Sequence, residues 1–479
     1  MAETRALKYH GGAAGALAPF GVFLVGVAWL AAQGAPDERG FWPMLVAALF
    51  AGMVLAKDRG LWAEVTLDGM GRRMVMVMIV AWLLAGVLGA LMAESGFVEA
   101  LVWCAEAAGV RGSGYVVAAF LICCVVSTST GTSLGTVILC APLLYPPGGS
   151  LGAEPAFLMG AILGGATFGD NISPVSDTTI ASSLSQDAEM RSVVRSRLRY
   201  ALPAAAMATA VFAIFGGAEG APSAAAAAGA SPRGLPMLLA PAFVLFLLLH
   251  GRHLMVGLLS GIAAALVVGL GLGLLTPHDV LHINPDAFAA RGLIVDGLNR
   301  GIGVSIFTVL LMGLVAGIES AGLLDRVVRF AEERARSKPA AERWAVGTVS
   351  ATAFLTTHGT VAILTAGELT RRLGRRFGVG PERRANLLDI TACSWPHVMP
   401  WFIPAILTAS TTSSGESFGM PRLSPFEVGV TNAHSWALLL MALLAVFAGY
   451  GREKDPDGPG GPEPEATAGR DTSHGGQAP

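Results

Sequence analysis

The sequence predicts an all-α polytopic membrane protein, with about ten transmembrane helices and two re-entrant hairpins in two inverted-topology repeats. Three observations predict it. The 479 residues are 53% hydrophobic and only 14% charged, with a mean hydropathy of +0.59, whereas soluble domains carry about 25% charged residues. Apolar runs long enough to span a bilayer recur along the chain. They lack the alternation of barrel strands, and lipid offers an open backbone no hydrogen bonds. Two more apolar stretches carry a polar break at their middle.

The spans follow in order as 15–33, 41–56, 74–93, 156–185, 200–216, 235–250, 254–275, 301–319, 385–413 and 431–450. Residues 1–10 are polar, and no small-residue cleavage site follows the first apolar run at the right distance. That run is therefore read as a retained span, not a signal peptide. Residues 217–234 are rich in Ala, Gly and Pro and read as a linker between halves. From Gly451 onward the composition predicts a disordered tail. The resulting division is 1–71 (N-terminal spans and a loop), 72–216 (first repeat), 217–300 (linker and connecting spans), 301–413 (second repeat), 414–450 (last span) and 451–479 (tail).

Basic residues orient the chain. Segments 57–73, 186–199, 325–343 and 371–384 hold four to six Lys or Arg each, while loops 34–40, 146–155, 217–234 and 414–430 hold one or none. The positive-inside rule puts the basic segments and both termini in the cytoplasm of a bacterial inner membrane. Stretches 113–145 and 344–370 must then each enter and leave on one face. Their breaks, 127–133 and 356–360, become hairpin tips, with Ser129, Thr130, Gly131 and Thr132 in the first and Thr357, His358, Gly359 and Thr360 in the second. Irregular backbone at that depth is tolerated only against protein or a cavity. A span ending in Glu94 or Glu319, a hairpin and a proline-broken span follow one another twice, in opposite orientations. That is the organisation of many secondary transporters.

Residues 169–179 carry the chemistry. They read Gly-Asp-Asn-Ile-Ser-Pro-Val-Ser-Asp-Thr-Thr. Two carboxylates among neutral oxygens are costly in hydrocarbon unless they line a watered site. Oxygen-rich helix breaks suit a hard cation such as Na+, so Asp170 and Asp177 are the candidate Na+ ligands. The alternative is a Ser/Asp-rich turn that caps two half-helices. Ser394, Pro396 and His397 in the second broken span are a candidate second pocket, and His358 and His397 either relay protons or pack. Asp389 is expected to pair with Arg383 or Arg384, and Trp395 and Trp401 to shape a pocket or pack beside it.

Other chemistries have weaker support. Net charge is −2, so no nucleic-acid partner is expected. The five cysteines form no CxxC pair and read as small buried thiols. Residues 131–135 match the G-x-S-x-G elbow but lack its strand–turn–helix context. No nucleotide or dinucleotide fingerprint is present, so neither an enzyme nor a cofactor is expected. A channel is disfavoured because broken spans in inverted halves suit alternating access.

The 169–179 stretch resembles the NhaC family of Na+/H+ antiporters, whose members show G-D-[KN]-x-S-P-[LIV]-S-D-T-T. The similarity extends over about residues 72–413. The resemblance implies proton-driven Na+ exchange on an inverted-repeat fold. It assigns ion binding to Asp170, Asn171, Ser173, Ser176, Asp177 and Thr178. The family also includes carriers that resemble organic-acid or amino-acid transporters, so a Na+-coupled carrier or exchanger of a small carboxylate or amino acid is the second reading. The expected partners are the bilayer, Na+ and protons, with a small carboxylate or amino acid and a homo-oligomer as open alternatives.

Overall fold

The structure, a computed structural model, describes residues 6–33, 38–218, 230–285 and 289–452. Most of the expected linker and the tail from residue 453 lie outside the described residues. Within them the chain is helical almost throughout. Its only sheet there is an antiparallel ribbon, His282–Asn284 with Ala289–Arg291. The protein is thus an all-α, multi-pass membrane protein.

Among the described residues, seven helices are long and apolar enough to cross a membrane, or eight if the bent pair Pro425–Thr431 and Ala433–Ala448 is one span. Phe41–Leu55 is apolar but only 15 residues long. The expected spans 156–185 and 385–413 are each two helices, Pro155–Ile172 with Asp177–Ser185 and Pro381–Val398 with Ile403–Thr411. The hairpins are Ser113–Thr130 with Ser133–Leu144 and Lys338–Thr356 with Gly359–Phe377.

Several expected boundaries move. The span expected at 301–319 is Leu293–Ser320, and the one at 200–216 begins at Met190, so most of the basic segment 186–199 is helical. Segments expected as loops hold the short helices Arg59–Met70, Phe97–Ala107 and Leu323–Glu332. Pro396 does not break the second broken span. The helix carries it in its last turn and ends at Val398, and Pro400 stands in the break.

Two parts of the chain share one register. Helices start at Phe97 and Leu323, Ser133 and Gly359, Pro155 and Pro381, Asp177 and Ile403. They end at Thr130 and Thr356, Ile172 and Val398, Ser185 and Thr411. Every pair is 226 residues apart (323 less 97, 359 less 133, 403 less 177). Pro174 and Pro400 keep the same offset. A proline cannot donate the next helical hydrogen bond and restricts the residue before it, so each break has a covalent cause.

The hairpin tips repeat in their torsions. Gly131 has φ 69° and ψ 21°, and Thr357 has φ 52° and ψ 22°. The next residues, Thr132 and His358, both have φ −143° and ψ 122°. A left-handed residue followed by an extended one ends one helix and opens the next. The first tip uses glycine because a Cβ at Gly131 would lie 2.9 Å from the Val175 carbonyl carbon. The second places a β-branched threonine in a conformation such residues rarely adopt.

The first hairpin is locked to its broken span. A Cβ at Gly169 would lie 2.4 Å from the Ser127 carbonyl oxygen, so the helices touch backbone to backbone. There the Ser127 hydroxyl donates to Gly165 O at 2.7 Å and accepts from Gly169 N–H at 3.0 Å.

Candidate functional site

Both hairpin tips and both broken spans meet at one cavity of about 420 Å3. Thr130, Gly131 and Thr132 line it from the first tip, and Thr357, His358, Gly359 and Thr360 from the second. Asp170, Asp177 and Thr178 come from the first broken span, and Pro396 and His397 from the second. Met74 and Met78 complete an apolar wall.

The two aspartates occupy different depths. Asp170 is 7% exposed, and its Oδ1 accepts from the Ser133 backbone N–H at 2.9 Å. Ser133 opens the second arm of the first hairpin, so the carboxylate sits on a helix N-terminus. Its Oδ2 lies 4.0 Å from His397 Nε2. Asp177 is exposed, opens helix Asp177–Ser185, and accepts from Thr360 Oγ1 at 2.6 Å. That bond joins the first break to the second tip.

Other predicted ion-site residues serve the backbone. The Thr178 and Thr179 hydroxyls both donate to the Asp170 carbonyl at 3.1 Å. Ser173 N–H donates to Gly169 O at 2.8 Å. These bonds satisfy carbonyls that the end of helix Pro155–Ile172 leaves orphaned. Asn171 Nδ2 donates to Thr167 O, and the Ser176 hydroxyl meets Thr178 Oγ1 at 2.9 Å. Asn171, Ser173 and Ser176 are buried but do not line the cavity, and neither do Ser129 or Ser394. The Ser129 and Ser394 hydroxyls donate to Val125 O and Ile390 O within their own helices.

Asp389 departs from expectation. It pairs with Arg197, at 3.0 Å from Nη1 to Oδ2, and both side chains are fully buried. Arg383 instead binds Glu342, and Arg384 binds Gln186. Arg197 also donates to Asn171 O at 2.6 Å, Thr179 Oγ1 at 2.9 Å, Ser182 Oγ at 3.1 Å and Asn386 Oδ1 at 3.0 Å. It therefore grips both sides of the first break and ties them to the second broken span. A signal for this lay in the sequence. Arg191, Arg195 and Arg199 recur every fourth residue on one helix face and are exposed, while Arg197 lies on the other face. Cys393, also unassigned from sequence, lines the cavity and donates to Asp389 Oδ1 at 3.5 Å.

The remaining predicted residues have ordinary partners. Glu319 pairs with Arg72 at 2.5 Å, and Glu94 is exposed. Trp395 and Trp401 both pack on Phe354. The 131–135 elbow is a helix–turn–helix whose Ser133 is 6% exposed.

Residues 9–217 match the profile of the Na+/H+ antiporter family. The malate-2H+/Na+-lactate antiporter of Bacillus subtilis is 35% identical over 107 residues, 22% of this chain and 23% of its own. The Na+/H+ antiporter NhaC of Alkalihalophilus pseudofirmus is 33% identical over 140 residues, 29% of this chain and 30% of its own. A Na+/H+ antiporter of Haemophilus influenzae is 26% identical over 175 residues, 36% of this chain and 37% of its own. The matched stretches thus span less than two fifths of each relative's length. Residues 9–217, less than half of the chain, are thus similar to the Na+/H+ antiporter family.

Proposed function

We propose that this protein is a secondary transporter that exchanges Na+ for protons across the bilayer. The observation that supports this most directly is Asp170. Its carboxylate stands at the floor of the shared cavity, with one oxygen fixed by Ser133 N–H and the other turned toward His397. Such a carboxylate holds either a proton or a hard cation, and competition for it is a minimal mechanism of exchange. Asp177 at the exposed end supplies a second charge, and the hydroxyls of Thr130, Thr132, Thr178 and Thr360 supply neutral oxygens. The two repeats lie inverted across the membrane, basic segments and both termini inside. Access alternates as hairpin-bearing elements move against the remaining helices. The chemistry needs no cofactor.

Everted vesicles from an antiporter-deficient strain test this reading. Na+ should dissipate a preformed ΔpH, and a panel of Na+, Li+ and K+ should rank the cations. Asp170→Asn should abolish the response. Undiminished dissipation by an Asp170→Asn protein present at wild-type levels would sink the assignment.

Cavity size favours a second reading, Na+-coupled exchange of a small organic acid or amino acid. A volume of about 420 Å3 is far more than a bare monatomic cation needs. The 35% identical relative named for malate and lactate points the same way.

A further inference from the structure

The two hairpin tips share a backbone geometry but not a chemistry. In the first, the N-terminus of helix Ser133–Leu144 holds the Asp170 carboxylate. The 226-residue register pairs Ser133 with Gly359 and Asp170 with Pro396. The second tip therefore opens a 19-residue helix onto the same cavity with no carboxylate in the equivalent place. His358, its N-cap, makes no side-chain capping bond.

Unpartnered polar atoms gather at this spot. Among the described residues, Thr357 Oγ1, His358 Nδ1 and His397 Nε2 are buried without a hydrogen-bond partner. Thr357 and His397 are each 3% exposed, and all three residues line the cavity. Polar atoms without a protein partner on the wall of a cavity are free to bind the polar groups of a ligand.

We infer that the N-terminus of helix Gly359–Phe377 is a subsite for the carboxylate of a small organic anion, standing where Asp170 stands in the first half. The inference rests on the reading of the cavity as the transport site. Helix N–H groups and the Thr357 hydroxyl would donate to the carboxylate. His397 defines the rest of the ligand. Its Nδ1 lies 2.6 Å from Cys393 O and so carries the ring proton, which leaves Nε2 as an acceptor. The anion would satisfy it with a hydroxyl or amino group next to the carboxylate. Asp177, bonded to Thr360 on the same helix end, would repel this anion unless a cation lay between them. Anion binding is thus coupled to Na+.

Equilibrium binding to the purified full chain, with radiolabelled lactate, alanine and propionate with and without Na+, tests the subsite. Lactate or alanine should bind saturably, about tenfold more tightly with Na+, and propionate more weakly because it lacks the donor. Thr357→Val should weaken binding about tenfold, the size of one lost hydrogen bond to a charged group. Pro396→Asp, which supplies a tethered carboxylate, should abolish it. Elution of each variant as a monodisperse peak controls for folding. Two results overturn the subsite: no binding of any probe by protein that still exchanges Na+ for protons, or binding indifferent to both substitutions. The first leaves the antiport reading standing. Carboxylate binding without any ΔpH response would remove antiport and keep the subsite.

Discussion

Arg197 and Asp389 form an ion pair at 3.0 Å with neither side chain exposed, one from each half of the chain. Removing one partner of a buried pair leaves an uncompensated charge and costs about 3–5 kcal/mol. Arg197→Gln and Asp389→Asn should each lower the unfolding temperature in detergent substantially. The double variant should cost less than the sum of the two, because the residues are in contact. Strict additivity would mean that the pair is not an energetic unit.

Ser133 gives Asp170 its backbone N–H at 2.9 Å, and its hydroxyl also stabilises that carboxylate. Ser133→Ala, which keeps the backbone donor, should therefore retain more of the Na+-driven ΔpH dissipation than Ser133→Pro. Ser133→Pro should lose most of it. Proline fits the first helical position and follows an extended Thr132, so the helix survives while the donor disappears. Equal activity in both variants would contradict the proposed role of this bond.

Asp177 is exposed and shares its carboxylate with Thr360. Its charge acts as cations approach, in partial contact with water. Asp177→Asn should raise the Na+ concentration for half-maximal dissipation several-fold, and the shift should shrink at high ionic strength. Thr360→Val should produce a smaller shift in the same direction. A salt-independent effect would argue against this placement.

Thr357 holds a left-handed conformation that costs a β-branched residue roughly 1–2 kcal/mol. Thr357→Gly should raise thermal stability while weakening carboxylate binding. The matching change at the first tip should fail. Gly131→Thr meets the same torsional cost and also drives a Cβ to 2.9 Å from the Val175 carbonyl carbon. Unfolding temperatures of the two variants should move in opposite directions.

The sequence makes the frame of this site legible and hides its bonding. Loop charges and polar interruptions identify both hairpins and the Pro174 break, because lipid penalises any other use of such residues. The same logic misplaces the second break at Pro396. A proline in the last helical turn can sit within the helix, and Pro400 is the residue in register with Pro174. Asn171, Ser173 and Ser176 sit beside the aspartates in sequence, yet Asn171 and Ser173 bond backbone groups, Ser176 bonds the Thr178 hydroxyl, and none lines the cavity. Adjacency along a chain says little about which oxygen turns toward a cavity once a helix has unwound. Arg197 is misread for another reason. Counting basic residues treats 186–199 as one solvated loop, whereas helical phase separates Arg197 from its three neighbours.

Arg197 also imposes an order on biogenesis. The ribosome makes it after Asn171, Thr179 and Ser182 but long before Asp389 and Asn386, the latter 189 residues later. A lone arginine at the centre of a membrane helix costs about 2.5–3.5 kcal/mol to insert. Until the second broken span arrives, the start of helix Met190–Phe215 is better placed at the membrane surface, where Arg191, Arg195 and Arg199, exposed on its other face, can reach water. The first half made alone should therefore insert incompletely and be seated only once Asp389 is supplied. A polypeptide stopped between the halves would be a substrate for quality control, and the two halves made as separate chains would have to meet in the membrane to mature.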